Sequence, residues 1–246
     1  MKYKILLSIL IISLLSKKAE AQPDFNYWNE AGYFKLMAGS VSPGTNFGST
    51  SSNGLFADNG FQIGLDLNYI VKYGLGLGFK LEYNSFSFNS DAFSSHAQPQ
   101  SIRVKGGFNS TKYGLNFLLN APVIMGSENF VVNFFAEGTA GLRTMNIPEI
   151  DLTYNEIFNK YVEVSYRPRS NIMGFLGYRG GIQLLFSNKY GASFSYNAVL
   201  PSRHSIKYSS RRFDAQGRLY EDENYLHDFL DHTGFQVGFM FIMGKD

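Results

Sequence analysis

Apolar and polar residues alternate with a period of two in eight separate stretches of this chain. The cleanest is Gly60 to Val71. Phe61, Ile63, Leu65, Leu67 and Tyr69 alternate there with Gln62, Gly64, Asp66 and Asn68. Successive side chains leave a strand on opposite faces, so this period predicts β-strands with one apolar and one polar face. The first stretch, Gly32 to Val41, sets Phe34, Leu36 and Ala38 against Tyr33, Lys35 and Met37. The third sets Leu75, Leu77, Phe79, Leu81 and Tyr83 against Gly76, Gly78, Lys80, Glu82 and Asn84. The fourth, from near Thr111, carries Tyr113, Leu115, Phe117 and Leu119 on one face. In the fifth, Val132, Phe134, Ala136, Ala140 and Leu142 oppose Asn133, Glu137, Thr139 and Arg143. The sixth, Asn171 to Phe186, places Leu176, Tyr178, Ile182 and Leu184 opposite Arg179, Gly181 and Gln183. The seventh alternates Ala192, Phe194, Tyr196 and Ala198 with Ser193, Ser195 and Asn197, and the last carries Phe235, Val237, Phe239 and Phe241.

The connections are sorted by parity. Lys72-Tyr73, Pro122 to Asn129 and Ser187-Asn188-Lys189 are short turns after the second, fourth and sixth strands. Residues 42–59, 89–110, 146–170 and 201–231 are long and rich in Pro, Gly, Ser and Asn, and read as loops. Tyr154 to Val162 fits either a helical turn or a strand extension. Alternating short and long connections predict an all-β, eight-stranded antiparallel up-and-down transmembrane barrel, with short turns on one side and both termini on that same side. A soluble barrel carries the same alternation turned inside out. The loop parity and the N-terminus favour the membrane.

Lys2 and Lys4 precede an apolar run from Ile5 to Leu15, and Ala19-Glu20-Ala21 has the small-x-small form of a cleavage site. Residues 1–21 are therefore expected to be a cleaved signal peptide. Residues 22–31 would be a periplasmic lead, and 32–246 an outer-membrane barrel. Eleven apolar residues are too few for a spanning helix, which needs about 20. The leader holds Lys2, Lys4, Lys17 and Lys18 against Glu20, so its removal takes the net charge from +2 to about −1. That leaves no electrostatic motive for a nucleic-acid partner. The chain has no cysteine, which excludes disulfides, a lipidated N-terminal cysteine, thiol catalysis and zinc-thiolate sites. Aromatic residues make up 16% and charged residues only 17%, the bulk signature of strands with one face in lipid.

The charged residues on the polar faces are Lys35, Asp66, Lys80, Glu82, Lys112, Glu137, Arg143 and Arg179. An eight-stranded barrel is just wide enough to be filled by side chains, so these are expected to form one mutually neutralising lumen network. The last strand, Gly234-Phe235-Gln236-Val237-Gly238-Phe239-Met240-Phe241, is similar to the aromatic C-terminal signal of outer-membrane barrels. With this segment and the strand and loop pattern, the chain resembles the small outer-membrane β-barrel family typified by the OmpA transmembrane domain and OmpX. The resemblance spans Gly32 to Met243. Ile242 to Asp246 follow the last Phe, where that family commonly ends on an aromatic. No peptidoglycan-binding domain follows in this sequence, so the resemblance carries over no wall-tethering role.

Chemistry is sparse. His96, His204, His227 and His232 lie in loops or at a strand edge, without metal-ligand spacing. Arg203-His204-Ser205 invites comparison with barrel lipid-A deacylases but lacks their H-x-S-N run, because residue 206 is Ile. Asp228, Asp231 and His232 read as rim residues rather than a water-activating set. Gly74-Leu75-Gly76-Leu77-Gly78 is strand-periodic and precedes no helix, so it is no nucleotide loop. No catalytic, cofactor or metal site is expected. In the longest loop, basic Arg203, Lys207, Arg211 and Arg212 precede Asp214-Ala215-Gln216-Gly217, and acidic Glu221, Asp222 and Glu223 follow. Folding there predicts an extended hairpin with a basic arm beside an acidic one, the expected contact surface. The expected role is a structural or protein-interaction barrel of the bacterial outer membrane, for instance an accessory subunit of a larger complex. Its partners would be outer-membrane lipid and other outer-membrane proteins. The alternatives are a small gated pore or transport barrel, and a lipid-modifying barrel enzyme.

Overall fold

The computed structural model describes residues 30–45, 47–51, 54–124, 130–155, 160–186 and 189–244. The expected leader, most of the lead that follows it, and parts of the turns at 125–129 and 187–188 lie outside these residues. The elements in chain order are β1 (Ala31–Pro43), β2 (Ala57–Lys72), β3 (Leu75–Phe88), α1 (Ser90–Ala97), β4 (Ser101–Lys105), β5 (Phe108–Ile124) and β6 (Phe130–Asn146). They continue with β7 (Glu149–Thr153), β8 (Tyr161–Pro168), β9 (Asn171–Phe186), β10 (Tyr190–Val199), β11 (Arg203–Asp214), β12 (Leu219–Phe229) and β13 (His232–Met243).

Strands β1, β2, β3, β5, β6, β9, β10 and β13 close into one barrel, and each corresponds to a stretch of alternation. Closure is made by β1 and β13, antiparallel from Gly32↔Met243 to Pro43↔His232. The last strand thus runs past Phe241, and Ile242 and Met243 still pair within the wall. Pro122, expected to open a turn, instead continues β5 opposite Asn133. Near the end of a strand its missing N–H removes little from the ladder. The β2–β3 turn is the tightest. Tyr73 and Gly74 both have positive φ, 54° and 74°. Two such residues make the type I′ geometry whose twist matches a hairpin.

The barrel is apolar outside and polar inside. Phe117 is 70% exposed and Leu115 66%, whereas Lys35 and Asp66 are 0% exposed. Two aromatic rows bound the apolar belt. Near the short turns, Phe34, Phe241, Tyr190, Phe186 and Phe130 follow one another across neighbouring strands. Toward the other end, Phe61, Phe235 and Tyr196 lie level, with Ser40 between the first two. Such girdles sit at the two membrane interfaces of a lipid-embedded barrel, with apolar residues between them. A soluble barrel needs the reverse arrangement, so the exposed belt decides for the membrane.

Three of the four long connections are not irregular; the first, between β1 and β2, has no helix or strand of its own among the described residues. Strands β12, β11, β8, β7 and β4 form a second, five-stranded sheet in that order, beyond the long-loop end of the barrel. The 89–110 segment contributes α1 and β4, and the 146–170 segment contributes β7 and β8, which corrects their reading as loops. The 201–231 segment folds as the expected hairpin, closing where the Gly217 N–H donates to the Asp214 carbonyl at 2.9 Å. Gly217 takes φ +73° there. Asn89 caps α1, its side chain accepting from the Ala92 N–H at 3.0 Å. The distal sheet is amphipathic. Ile150, Leu152 and Val164 form its apolar core, with Ile102, Val104, Tyr166, and Phe88 and Phe93 packed against them.

Candidate functional site

The eight charged residues expected in the lumen are all buried inside the barrel. They fall into two linked groups and one outlier. Arg179 pairs with both Asp66 and Glu137. Lys35 lies 3.3 Å from Asp66 and Lys80 lies 2.6 Å from Glu137. In the second group Lys112 pairs with Glu82, and its Nζ is 2.9 Å from His232 Nε2. Gln236 joins the groups: Arg179 donates to its Oε1 at 3.3 Å, and its Nε2 donates to Glu82 at 3.1 Å. Arg143 stands apart near the rim and donates to the Leu230 carbonyl at 2.7 Å. A single network of eight charges is thus corrected to a linked set of seven plus Arg143. Arg143 lies level with Lys112 across the β5–β6 pair, but like charges do not pair, and the carboxylate acting on Arg143 is Asp231.

Sequence parity places several uncharged residues in the lumen that were not singled out. Gln62 donates to the Ser40 carbonyl at 2.8 Å and to Asn197 at 3.1 Å. Asn133 donates to Gln183 at 2.6 Å and to Asn120 at 2.8 Å. Their signal is polarity at inward-facing positions, the same that marks the charges. Apolar layers lie on either side of the polar centre. Near the short turns are Tyr33, Ile70, Leu118, Val131, Leu185 and Met240. Toward the distal sheet are Val41, Phe47, Phe86, Phe108, Met145 and Ile206.

The distal sheet carries a charged face turned away from its apolar side. One register row crosses all five strands: Arg103, Asp151, Ser165, Arg211, Glu221. Arg167 reaches Glu149 at 2.9 Å and Asp151 at 2.8 Å, and Lys105 lies 3.5 Å from Glu149. Lys207 pairs with Glu223 at 2.7 Å and Arg211 with Glu221 at 3.2 Å. Burial pushes the Asp151 carboxyl up, but hydrogen bonds from Ser165 and Arg167 outweigh it and hold it below the usual range. The Lys207 ammonium likewise holds Glu223 low.

The seven residues expected as the contact surface divide by strand alternation. Lys207, Arg211, Glu221 and Glu223 lie on the charged face, with exposed Arg203 at the hairpin base. Arg212 and Asp222 pair on the opposite face, where Arg212 lies 4.8 Å over the Tyr161 ring. Arg103, Lys105, Glu149, Asp151 and Arg167 join the charged face. They escape sequence reasoning because their strands are brought together only by tertiary pairing.

Two serine–histidine contacts occur in this region. Ser205 Oγ is 2.7 Å from His227 Nδ1 across the hairpin, and Ser202 Oγ is 2.5 Å from His204 Nε2. Burial and the Arg143 charge hold His204 below the usual imidazole range. Among the described side chains, which exclude that of Asp228 opposite His204 in register, no carboxylate is hydrogen-bonded to His204 or His227. No cluster of metal-ligating side chains occurs among the described residues either.

No protein-family model and no curated protein matches the chain. Solved structures do. The neisserial surface protein NspA is similar over 86% of this chain and 97% of its own, at 12% identity and a TM-score of 0.47. OprG, an outer membrane protein of Pseudomonas aeruginosa, is similar over 90% and 99%, at 10% identity and 0.45. Ail, the attachment invasion locus protein of Yersinia pestis, is similar over 87% and 99%, at 11% identity and 0.40. The chain's own geometry, a closed eight-stranded wall with an apolar exterior and polar filling, is the fold of a small outer-membrane β-barrel.

Proposed function

We propose that this barrel serves its bacterial outer membrane as an anchored interaction scaffold, with the distal sheet as its contact platform and other envelope proteins as partners. Residues 1–21 direct export and are removed, the chain from 22 to the start of β1 at Ala31 forms a short periplasmic lead, and the distal sheet faces outward. The observation that carries the reading is the charged face of that sheet, held over a filled barrel. Its basic residues are Arg103, Lys105, Arg167, Lys207 and Arg211; its acidic ones are Glu149, Asp151, Glu163, Glu221 and Glu223. A patterned surface of both signs fixes the register of a complementary partner more than it adds raw affinity. A rigid sheet also presents these groups with less entropy to lose than a mobile loop. A filled lumen with apolar layers above and below its charges supports a scaffold over a pore or transporter.

The test is extraction in mild detergent followed by identification of co-purifying proteins, with wild type and a Arg167→Glu/Lys207→Glu/Arg211→Glu variant. The wild type is expected to retain an outer-membrane partner that the variant loses, with both barrels folded. Retention by the variant would move the contact to the lipid-facing wall or the short turns. Hydrolysis of a lipid ester or peptide abolished by Ser205→Ala would replace the scaffold reading with the enzymatic one.

A further inference from the structure

Between the apolar side of the distal sheet and the barrel rim lies a cavity of about 230 Å³. Residues from all four long connections and the strand ends beside them wall it. Phe56 comes from the β1–β2 connection, Phe93 from α1, Phe108 from the rim of β5, and Tyr166 and Tyr208 from β8 and β11. Among the described residues none that lines it is charged, and the phenol hydroxyls of Tyr166 and Tyr208 are the only polar side-chain groups. Phe56 and Phe93 meet edge to face at 5.2 Å, and the Tyr166 and Tyr208 rings lie 5.8 Å apart. The wall therefore offers both ring faces and ring edges.

The backbone at this cavity is held in an unfavourable form. Phe56 has φ +57°, where a bulky L-residue is a true outlier. Hydrogen bonds hold it on both sides. Its N–H donates to the Ser49 carbonyl at 3.1 Å, and its carbonyl accepts from the Asn89 N–H at 2.8 Å. Strain of this kind persists only where the surroundings over-determine it, and it clusters at ligand clamps. It turns the Phe56 ring toward Phe93, on the cavity side of the loop.

We propose that this cavity is a binding site for a small, uncharged, single-ring aromatic molecule carrying one hydrogen-bonding group, a phenol-sized ligand. Size, charge and shape each restrict the occupant. An apolar cavity of roughly 150 Å³ already accepts benzene, so this volume has room for one substituted ring. An ionised ligand would find no counter-charge in the wall and would lose its hydration. A flat ring fits the edge-to-face box that the phenylalanines provide, better than a flexible chain does. The Tyr166 and Tyr208 hydroxyls then supply donor and acceptor to its single polar group. Phe108 also belongs to the apolar layer above the lumen, with Phe47 and Phe86. The site is thus a receptor pocket closed off from the barrel interior and not the mouth of a passage. It is independent of the scaffold reading.

The experiment uses the full barrel in lipid nanodiscs and fluorine NMR titrations with 4-fluorophenol, fluorobenzene and a fluorinated octanoate. Wild type is expected to bind 4-fluorophenol saturably at one site, more tightly than octanoate. Leu226→Trp, which fills the cavity, should weaken it more than tenfold. The conservative Tyr166→Phe/Tyr208→Phe pair should weaken 4-fluorophenol roughly fivefold, the value of one net hydrogen bond, and leave fluorobenzene within about twofold. If Leu226→Trp fails to reach the folded form, the Tyr→Phe pair decides alone. Uptake of 4-fluorophenol that never saturates and is identical in all variants would show partition into lipid and overturn the proposal. Tighter binding of octanoate would overturn it as well, in favour of an acyl-chain cleft.

Discussion

Glu137 on β6 and Arg179 on β9 stand directly opposite one another and pair at the centre of the lumen. Each has a second partner, Lys80 for Glu137 and Asp66 for Arg179, so the four charges form a chain across the barrel. Removing Arg179 takes one of two cationic partners from each of two buried carboxylates, leaving Asp66 to Lys35 and Glu137 to Lys80. Arg179→Met is expected to cost about 3–5 kcal/mol, the range for breaking a buried pair from one side. Arg179→Met with Glu137→Met should cost less than the two single changes added together, because both delete the same Arg179–Glu137 pair. Urea unfolding in lipid vesicles measures both. A double variant as unstable as the two single losses added together would show that the charges do not act as a unit.

The apolar belt makes a separate demand. Phe117 lies mid-strand on β5, opposite Leu77 and Gly138, with its ring 70% exposed. Phe117→Arg should destabilise the folded barrel by about 2–4 kcal/mol if that exposure is to lipid. Gln216→Arg, at the exposed tip of the distal hairpin, should change stability by less than about 0.5 kcal/mol. Equal tolerance at the two positions, read from the same urea curves, would contradict a membrane-facing wall.

Acid should loosen the distal sheet before the barrel. The Asp151 and Glu223 carboxyls are held below their ordinary values by Arg167 with Ser165 and by Lys207 respectively. A carboxyl whose folded pKa is lowered stabilises the fold fully above its unfolded pKa of about 4. That contribution fades as pH falls through the lower folded value. Amide exchange in β7, β8, β11 and β12, corrected for intrinsic rates, should therefore lose protection between pH 5 and 3, by a modest factor because the pairs are solvent-exposed. Barrel amides should lose none over the same interval. Uniform loss in both sheets would show that the pairs contribute nothing specific.

How much of this was legible in the sequence differs between the two sheets. A barrel strand between lipid and a polar lumen must alternate along its whole length, so Phe61 to Tyr69 announces itself without any partner. Strands β4 and β7 are only five residues long, and their apolar sides hold two residues each, Ile102 with Val104 and Ile150 with Leu152. Their pairing is tertiary: β7 pairs with β4 on one side and β8 on the other, and β8 with β11 from the longest connection. The β11–β12 hairpin was readable because its turn and opposed charges are local. Parity marks the lumen charges but not their partners, and Arg143 stands opposite a like charge, Lys112, with no carboxylate of the network pairing with it among the described residues. The aromatic cavity draws Phe56, Phe93, Phe108, Tyr166 and Tyr208 from five segments, and no periodicity links them.

Orientation can be read directly. If the distal sheet faces outward, a cysteine at Gln216 should react with a membrane-impermeant maleimide in intact cells. One at Tyr73, in the tight β2–β3 turn, should react only after the cells are opened. The chain has no native cysteine, so the background is clean. Labelling of position 73 alone in intact cells would invert the barrel.

The filled lumen leads to the last expectation. An ion entering from the short-turn end meets Tyr33, Ile70, Leu118, Val131, Leu185 and Met240 before any charge. Beyond the charges it meets Phe47, Phe86 and Phe108 beneath the distal sheet. Water excluded from both layers leaves the central charges to one another, and that is why their pairing matters for stability. Wild-type protein in a planar bilayer should show no steady conductance. Neutralising Arg179 and Glu137 together should not open a path, because the apolar layers remain. Leu118→Gly with Met240→Gly, combined with Phe47→Ala and Phe86→Ala, thins both layers and should produce brief openings. Large steady conductance from the unaltered protein would show that the layers part in the membrane, and would favour the pore over the scaffold.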